Sequence, residues 1–305
     1  MSNDDKAFTK LFAIAALLQI VWGLVPTASN IVISEIPVEL YISLRWTISG
    51  LIFATYLLVT NGWNKISVRS GIAVCGLGVL GYGVASFGTL YGLKIGGVTN
   101  FALVGALGPA VTSLVSIFIL KEKPTRSFYF ALPVSLLGLL VLAVGKYQIS
   151  SVDIATQSAV FILGGCTFEA LAFVFSKKFK SQMSATQYLA IAQLGAAGSM
   201  WSLQLSIFQQ IGELKKLSAD GILAAVFVSV VACVLCYAIL YWLLNYLQGH
   251  KLALFEVFHT ISATIFGWLI FNETLSPFMV LGGLLILVGL IVGNWPSNLK
   301  ATQRQ

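Results

Sequence analysis

The chain has 305 residues, 58% hydrophobic and only 10% charged, with a mean hydropathy of +0.91; a typical soluble domain carries about 25% charged residues, so a water-soluble globule is excluded. The net charge of +7 does not point to nucleic acid, because Lys and Arg stand singly or in short clusters between apolar runs, as in membrane-flanking loops. Disorder and a disulfide scaffold fall with it: Cys75, Cys166, Cys233 and Cys236 all lie in apolar stretches, where cysteine behaves as a small hydrophobe.

A membrane-crossing helix needs about 20 mainly apolar residues. Ten segments meet that need, over 8–27, 39–59, 71–93, 98–120, 127–145, 155–176, 185–208, 220–244, 252–271 and 277–295. The first is read as a span and not as a cleaved signal, because it lacks a small-residue cleavage site and Pro26 and Asn30 lead straight to the second. Its Gln19, Trp22 and Pro26, spaced i, i+3 and i+7, put an amide, an aromatic wall and a kink on one face. Lining a cavity is one reading of that face, ordinary lipid contact the other. Arg45, in the second span, lies about six residues from its outer end; snorkelling to the headgroups accounts for it, with a substrate role as the alternative.

In the third span Gly76, Gly78, Gly81 and Gly83 accompany Tyr82 and favour close helix approach. The fourth ends at Glu122 and the ninth at Glu273. A helix C-terminus disfavours an anion and the start of the next helix favours one, so each is read as a staple of its own tight turn. Glu169 lies in the sixth span, eight residues before Lys177, hence about 12 Å from that end. The stretch from Gln209 to Ala219 is expected to be a loop. The eighth span carries Tyr237 and Tyr241, and Cys233 and Cys236, whose spacing is read as packing. Glu256 and His259, at i, i+3, share one face of the ninth.

Thirteen Lys and Arg fall at the two termini and after spans two, four, six and eight, against four (Lys94, Lys146, Lys215 and Lys216) on the other side. This asymmetry predicts cytoplasmic termini and a multi-pass protein of the cell membrane, as in a bacterial inner membrane. Shifting the chain by 151 residues lays 71–145 on 222–296, with Glu122 on Glu273 and Gly138 on Gly289; 11 of 75 positions are identical. Boundaries of three spans coincide as well. The expected fold is therefore all-α integral membrane, ten transmembrane helices as two inverted five-helix repeats, 1–150 and 151–305. Five spans is an odd number, so the second copy would enter the bilayer upside down, an arrangement that builds transporters with midplane sites.

Trp22-Gly23 in span one, Arg45 in span two, Pro109 followed by Ile-Leu-Lys-Glu ending at Glu122, and Ile-Phe-Asn-Glu ending at Glu273 with Gly282-Gly283 and Gly289 beyond it resemble the EamA family of the drug/metabolite transporter superfamily. The resemblance covers nearly the whole chain. It implies a basket of ten helices around a cavity lined mainly by spans one, three, four, six, eight and nine. Thr260 stands where Pro109 would recur, which argues against a break in span nine like that in span four.

Ionisable groups inside a bilayer cost roughly 2.5–3.5 kcal/mol each at mid-helix, so each calls for an explanation. Glu169, Glu256 and His259 are expected to meet in one cavity, bind a cationic or zwitterionic group and exchange it for a proton. A low-dielectric cavity favours the neutral carboxyl, and a nearby cation favours the charged one. The alternatives are a Glu256 that reaches water or Lys251 and a His259 bonded to a neighbouring helix. Tyr82, Tyr237 and Tyr241 would add walls suited to amines. No further Cys or His stands at zinc spacing, no G-x-x-x-x-G-K-[ST] is present, and neither a filter loop nor a rim of catalytic residues supports a channel or a membrane enzyme. The expectation is a secondary carrier of a small polar metabolite, an amino acid or amine, without a cofactor and with proton coupling. Its partners are that solute and the bilayer, not nucleic acid, and it would act as a monomer or homodimer. Export leads over uptake or exchange of nucleotide-like solutes.

Overall fold

The computed structural model describes residues 3–120, 126–147, 152–176, 179, 182–203, 211–243, 246 and 255–294. Among these the chain is mostly helical, with short non-helical links such as 60–67 and 272–276, and contains no strand. Lipid offers the backbone no hydrogen-bond partner, so each span must satisfy its own N–H and C=O groups. Five helical stretches are long and apolar enough to cross a membrane, Lys10–Glu35, Val38–Val59, Val68–Gly105, Thr156–Ser176 and Ala219–Leu243, and four shorter apolar helices accompany them. Their outer faces carry the large apolar side chains a bilayer requires, such as Leu17, Leu58, Phe118, Leu223 and Trp268.

The first span is α1 (Asn3–Trp22) and α2 (Leu24–Glu35), joined at Gly23. It runs well past the expected end at 27 because Pro26 falls in the first turn of α2, where a missing N–H costs nothing. The second span is α3 (Val38–Val59). The third begins with α4 (Val68–Gly78), passes through a wide π-helical turn at Val79–Val84 and continues as α5 (Ala85–Gly105). A break inside α5 at Gly97, φ +80°, ends the third span and starts the fourth; only glycine adopts that backbone readily. A second break at Ala106–Leu107 precedes α6 (Gly108–Leu120).

Beyond it lie α7 (Arg126–Tyr147), α8 (Val152–Ser176) and α9 (Ala185–Leu203). Ile211–Lys216, expected as plain loop, forms a short 3₁₀ helix. Its own Lys216–Glu213 ion pair ties one turn to the next. The eighth span is α10 (Ala219–Val226), a π-helical stretch Phe227–Cys236, and α11 (Tyr237–Leu243). The chain closes with α12 (Glu256–Phe271), unbroken at Thr260, and α13 (Pro277–Asn294).

Several local features recur 151 positions apart. Ser67 caps α4 by accepting from the Ser70 N–H at 3.1 Å, and Ser218 caps α10 by accepting from the Gly221 N–H at 3.0 Å. The two π-helical stretches overlap under the same shift. Where α7 packs along α13, a Cβ on Gly138 would lie 2.7 Å from the Gly282 carbonyl oxygen, and one on Gly289 would lie 2.9 Å from that of Ala131. The two contacts are related by the same 151-residue shift, Gly138 corresponding to Gly289 and Ala131 to Gly282. The helix pairs α5–α8 and α3–α9 make the other long seams. The main core gathers Leu40, Tyr41, Ile42 and Trp46 against residues of α2, α9 and the eighth span. Cys233 and Cys236 are buried among apolar side chains and unbridged.

Candidate functional site

A cavity of about 60 Å³ opens where spans two, three, six and eight converge. Arg45, Trp46, Gly81, Tyr82, Ala85, Ser86, Thr89, Glu169 and Tyr237 line it. Tyr82, Ser86 and Thr89 follow one another at i, i+4 and i+7, so the third span presents a single face to it. The π-helical turn just before Ala85 lets that face combine a tyrosine from the wide turn with hydroxyls from the regular helix.

Arg45 is fixed by three features. Its guanidinium carbon lies 4.3 Å from the centre of the Trp46 ring and 5.8 Å from that of Tyr41, within the range of cation–π attraction. Its Nη2 donates to Ser86 Oγ at 3.1 Å, and Trp46 Nε1 donates to the same oxygen at 3.2 Å. Its Nε is buried and has no hydrogen-bond partner among the described residues. Both lone pairs of Ser86 are therefore in use, and its own hydroxyl hydrogen has no acceptor among the described residues. Opposite stands Glu169, deep in the bundle yet open to solvent, within electrostatic reach of Arg45. No ion pair joins the two among the described residues. The rest of the wall is aromatic, with ring centres 4.9 Å apart for Trp46–Tyr82, 5.7 Å for Tyr82–Tyr237 and 5.2 Å for Tyr237–Trp22.

The cavity lining holds three residues singled out in the sequence, Tyr82, Glu169 and Tyr237. Trp22 is one ring further out, edge-on to Tyr237. Gln19 is buried a turn before it, and Tyr241 packs beside Tyr188 with centres 6.4 Å apart. Glu256, half-buried, opens α12 and feels the charge of Glu169 without lining the cavity. His259, also half-buried, is a turn further along, its carbonyl taking a bond from Ser262 Oγ at 3.1 Å. Of the three protonatable groups expected to meet, Glu169 lines the cavity, and Glu256 and His259, a turn apart on α12, are not among its lining residues. Lys251, proposed as an alternative partner for Glu256, lies outside the described residues.

Two sequence expectations are corrected. Arg45 does not snorkel to headgroups: its Nη2 bonds Ser86 and its guanidinium lies over the Trp46 ring. Glu273 does not staple its own turn. Its carboxylate crosses to the other half and accepts the Val98 and Thr99 N–H groups at 2.7 and 2.6 Å, capping the helix that restarts after Gly97. Its counterpart Glu122 lies outside the described residues. On the same face Glu35 accepts the Ser218 N–H at 2.9 Å and the Ser218 hydroxyl at 2.6 Å. At the other end of α3, Gln187 Nε2 donates to the Asn64 carbonyl at 2.9 Å and Ser70 Oγ to Gln182 Oε1 at 2.7 Å. Sequence reasoning missed Trp46, Ser86 and Thr89. An arginine inside a span, followed directly by a tryptophan, was the available signal.

Comparison with known proteins gives a consistent result. The family model described as "EamA-like transporter family" matches residues 10–144 and again 156–295. "Uncharacterized transporter YoaV" of Bacillus subtilis (strain 168) is 24% identical over 287 residues, 90% of this chain and 94% of its own. "Uncharacterized transporter YcxC" of the same organism is 24% identical over 258 residues, 80% of each. A solved crystal structure shares the fold at a TM-score of 0.63 and 16% identity, covering 93% of this chain and 95% of its own.

Proposed function

The chain belongs to the EamA-like transporter family, a multi-pass membrane transporter rather than an enzyme, and we propose that it is a secondary carrier moving a small polar metabolite, an amino acid or amine, by alternating access. In this reading ten spans form two inverted halves, the termini are cytoplasmic, the protein sits in the cell membrane, export is the physiological direction and protons are the coupling ion. The observation that carries it is the cavity itself: Arg45, Trp46, Tyr82 and Ser86 come from the first half, Glu169 and Tyr237 from the second. A site built across the seam of two halves changes its exposure when they rock against each other. The double family match and the features repeating at 151 residues support the two-fold arrangement.

The Glu273 cap and the Glu35–Ser218 clasp hold the half-to-half seam on one face, the outer one by the Lys and Arg asymmetry. Opening towards that face requires both to part. Glu169 supplies a carboxylate for the substrate amine or for a proton in its absence. The Trp22–Tyr237–Tyr82–Trp46 row supplies an apolar, π-rich wall for the rest of the solute. The test is counterflow in proteoliposomes. Vesicles preloaded with an unlabelled amino acid or amine should transiently concentrate its labelled form, with saturable rates. Linear, unsaturable flux across the whole series, or no flux at all, would end the carrier reading.

A further inference from the structure

The cavity holds two opposite charges that do not neutralise each other directly, and that arrangement narrows the substrate. We propose that Arg45 binds a substrate carboxylate while Glu169 takes its ammonium, so that the carrier selects zwitterions and rejects the matching amines and acids. This rests on the carrier reading above and deepens it, since that reading admits an amine equally well.

The donor set at Arg45 is incomplete in the state seen here. Arg45 and Ser86 both line the cavity, and the Ser86 hydroxyl, which accepts from Nη2 and from Trp46 Nε1, has no acceptor for its own hydrogen among the described residues. Buried donors of this kind are normally satisfied, and a guanidinium edge with an adjacent hydroxyl matches a carboxylate, which accepts several hydrogen bonds at once. The Trp46 ring beneath the guanidinium and Nη2 bonded to Ser86 hold the fork in one orientation. Such preorganisation distinguishes a binding group from a loosely solvated cation.

Charge balance argues the same way. Arg45 and Glu169 are the charged members of the lining, and Glu256 lies beyond it. A zwitterion pairs both and leaves the cavity with no net change. An amine pairs Glu169 but leaves the half-buried guanidinium unmatched, and a simple carboxylate pairs Arg45 but leaves Glu169, which is open to solvent, without its partner. An unmatched charge costs more the less solvent reaches it, so discrimination of roughly tenfold is expected against the amine, which strands Arg45, and a smaller one against the acid, which strands the solvated Glu169. At about 60 Å³ the cavity in this state has room for a few water molecules, or the charged head of such a solute, with its side chain against the aromatic row.

The experiment measures binding by thermal shift of purified protein against three matched sets: alanine, ethylamine and propionate; leucine, isoamylamine and 4-methylvalerate; phenylalanine, phenethylamine and 3-phenylpropionate. At least one amino acid should stabilise the protein, with its amine partner weaker by roughly tenfold and its acid partner weaker by a smaller factor. Arg45→Gln should abolish that preference over the amine, and Arg45→Lys should restore it only in part, because it keeps the charge and loses the fork. An amine that binds as tightly as its amino acid overturns the zwitterion assignment; if that amine also shows counterflow, the carrier reading stands without it. Silence from all nine compounds overturns the zwitterion assignment, while the carrier reading is decided separately by counterflow. Should Arg45→Gln fail to fold, the wild-type comparison alone decides the question.

Discussion

Replacing Glu273 by Gln tests whether the cross-half cap is part of a moving seam. The carboxylate accepts two backbone N–H groups at 2.7 and 2.6 Å, and hydrogen bonds to a charged group contribute about 1.5–3 kcal/mol each. A Gln retains one acceptor oxygen and turns an NH₂ donor towards the second N–H. The loss is therefore about 2 kcal/mol, the equivalent of one such bond, or roughly 30-fold in a two-state equilibrium. A conformer with this face open at roughly 1% of the population would rise to roughly a quarter. Lys94 and Leu275 are exposed positions flanking the cap, so spin labels placed there report the seam. Wild-type protein should give one dominant short distance, and E273Q an added longer component of about that size. An unchanged distance distribution, with only a lower melting temperature, would make Glu273 a fixed structural cap and refute its part in gating.

Other perturbations reach the site and the fold. Glu169→Gln should abolish flux or uncouple it from protons while the protein remains folded, measured as uptake with and without a pH gradient; wild-type flux would remove the carboxylate from the mechanism. Trp22→Ala deletes a ring that packs edge-on to Tyr237 and should raise the half-saturation concentration roughly tenfold, the equivalent of about 1.4 kcal/mol. Gly138→Val thrusts a side chain into the Gly282 carbonyl, whereas a Cβ on Gly76 meets nothing within 4 Å. The first should cost about 1–3 kcal/mol and lower the melting temperature, and Gly76→Ala should leave it unchanged or raise it. Equal melting of the two variants would contradict the close approach of α7 and α13.

The fold was largely readable because bilayer solvation constrains sequence more tightly than water does. Span edges such as 39–59 and 277–295 are close to α3 and α13, and the turn between spans three and four falls at Gly97, inside the expected gap. The extension of the first span to Glu35 was hidden by Pro26, a helix breaker in mid-helix and harmless in a first turn. The π-helical turns were not legible at all, since no residue type encodes them. The site was half readable. Glu169, Tyr82 and Tyr237 stand out as polar or aromatic residues in apolar spans. Arg45 stood out too, but one-dimensional depth cannot distinguish a side chain reaching outward from one turned onto Trp46 and Ser86. The same limit applies to Glu273: its partners lie about 175 residues away in sequence, and only the tertiary arrangement of the two halves brings them together.

In alternating access one cavity faces each compartment in turn. Thr89 lies in its wall, so a single cysteine at that position, with the four native cysteines replaced, reports exposure. Membrane-impermeant thiol reagent applied separately to right-side-out and inside-out vesicles should label it from both sides, and a transported amino acid should protect it in each case. Labelling from one side only, under every condition of substrate and proton gradient, would contradict alternating access.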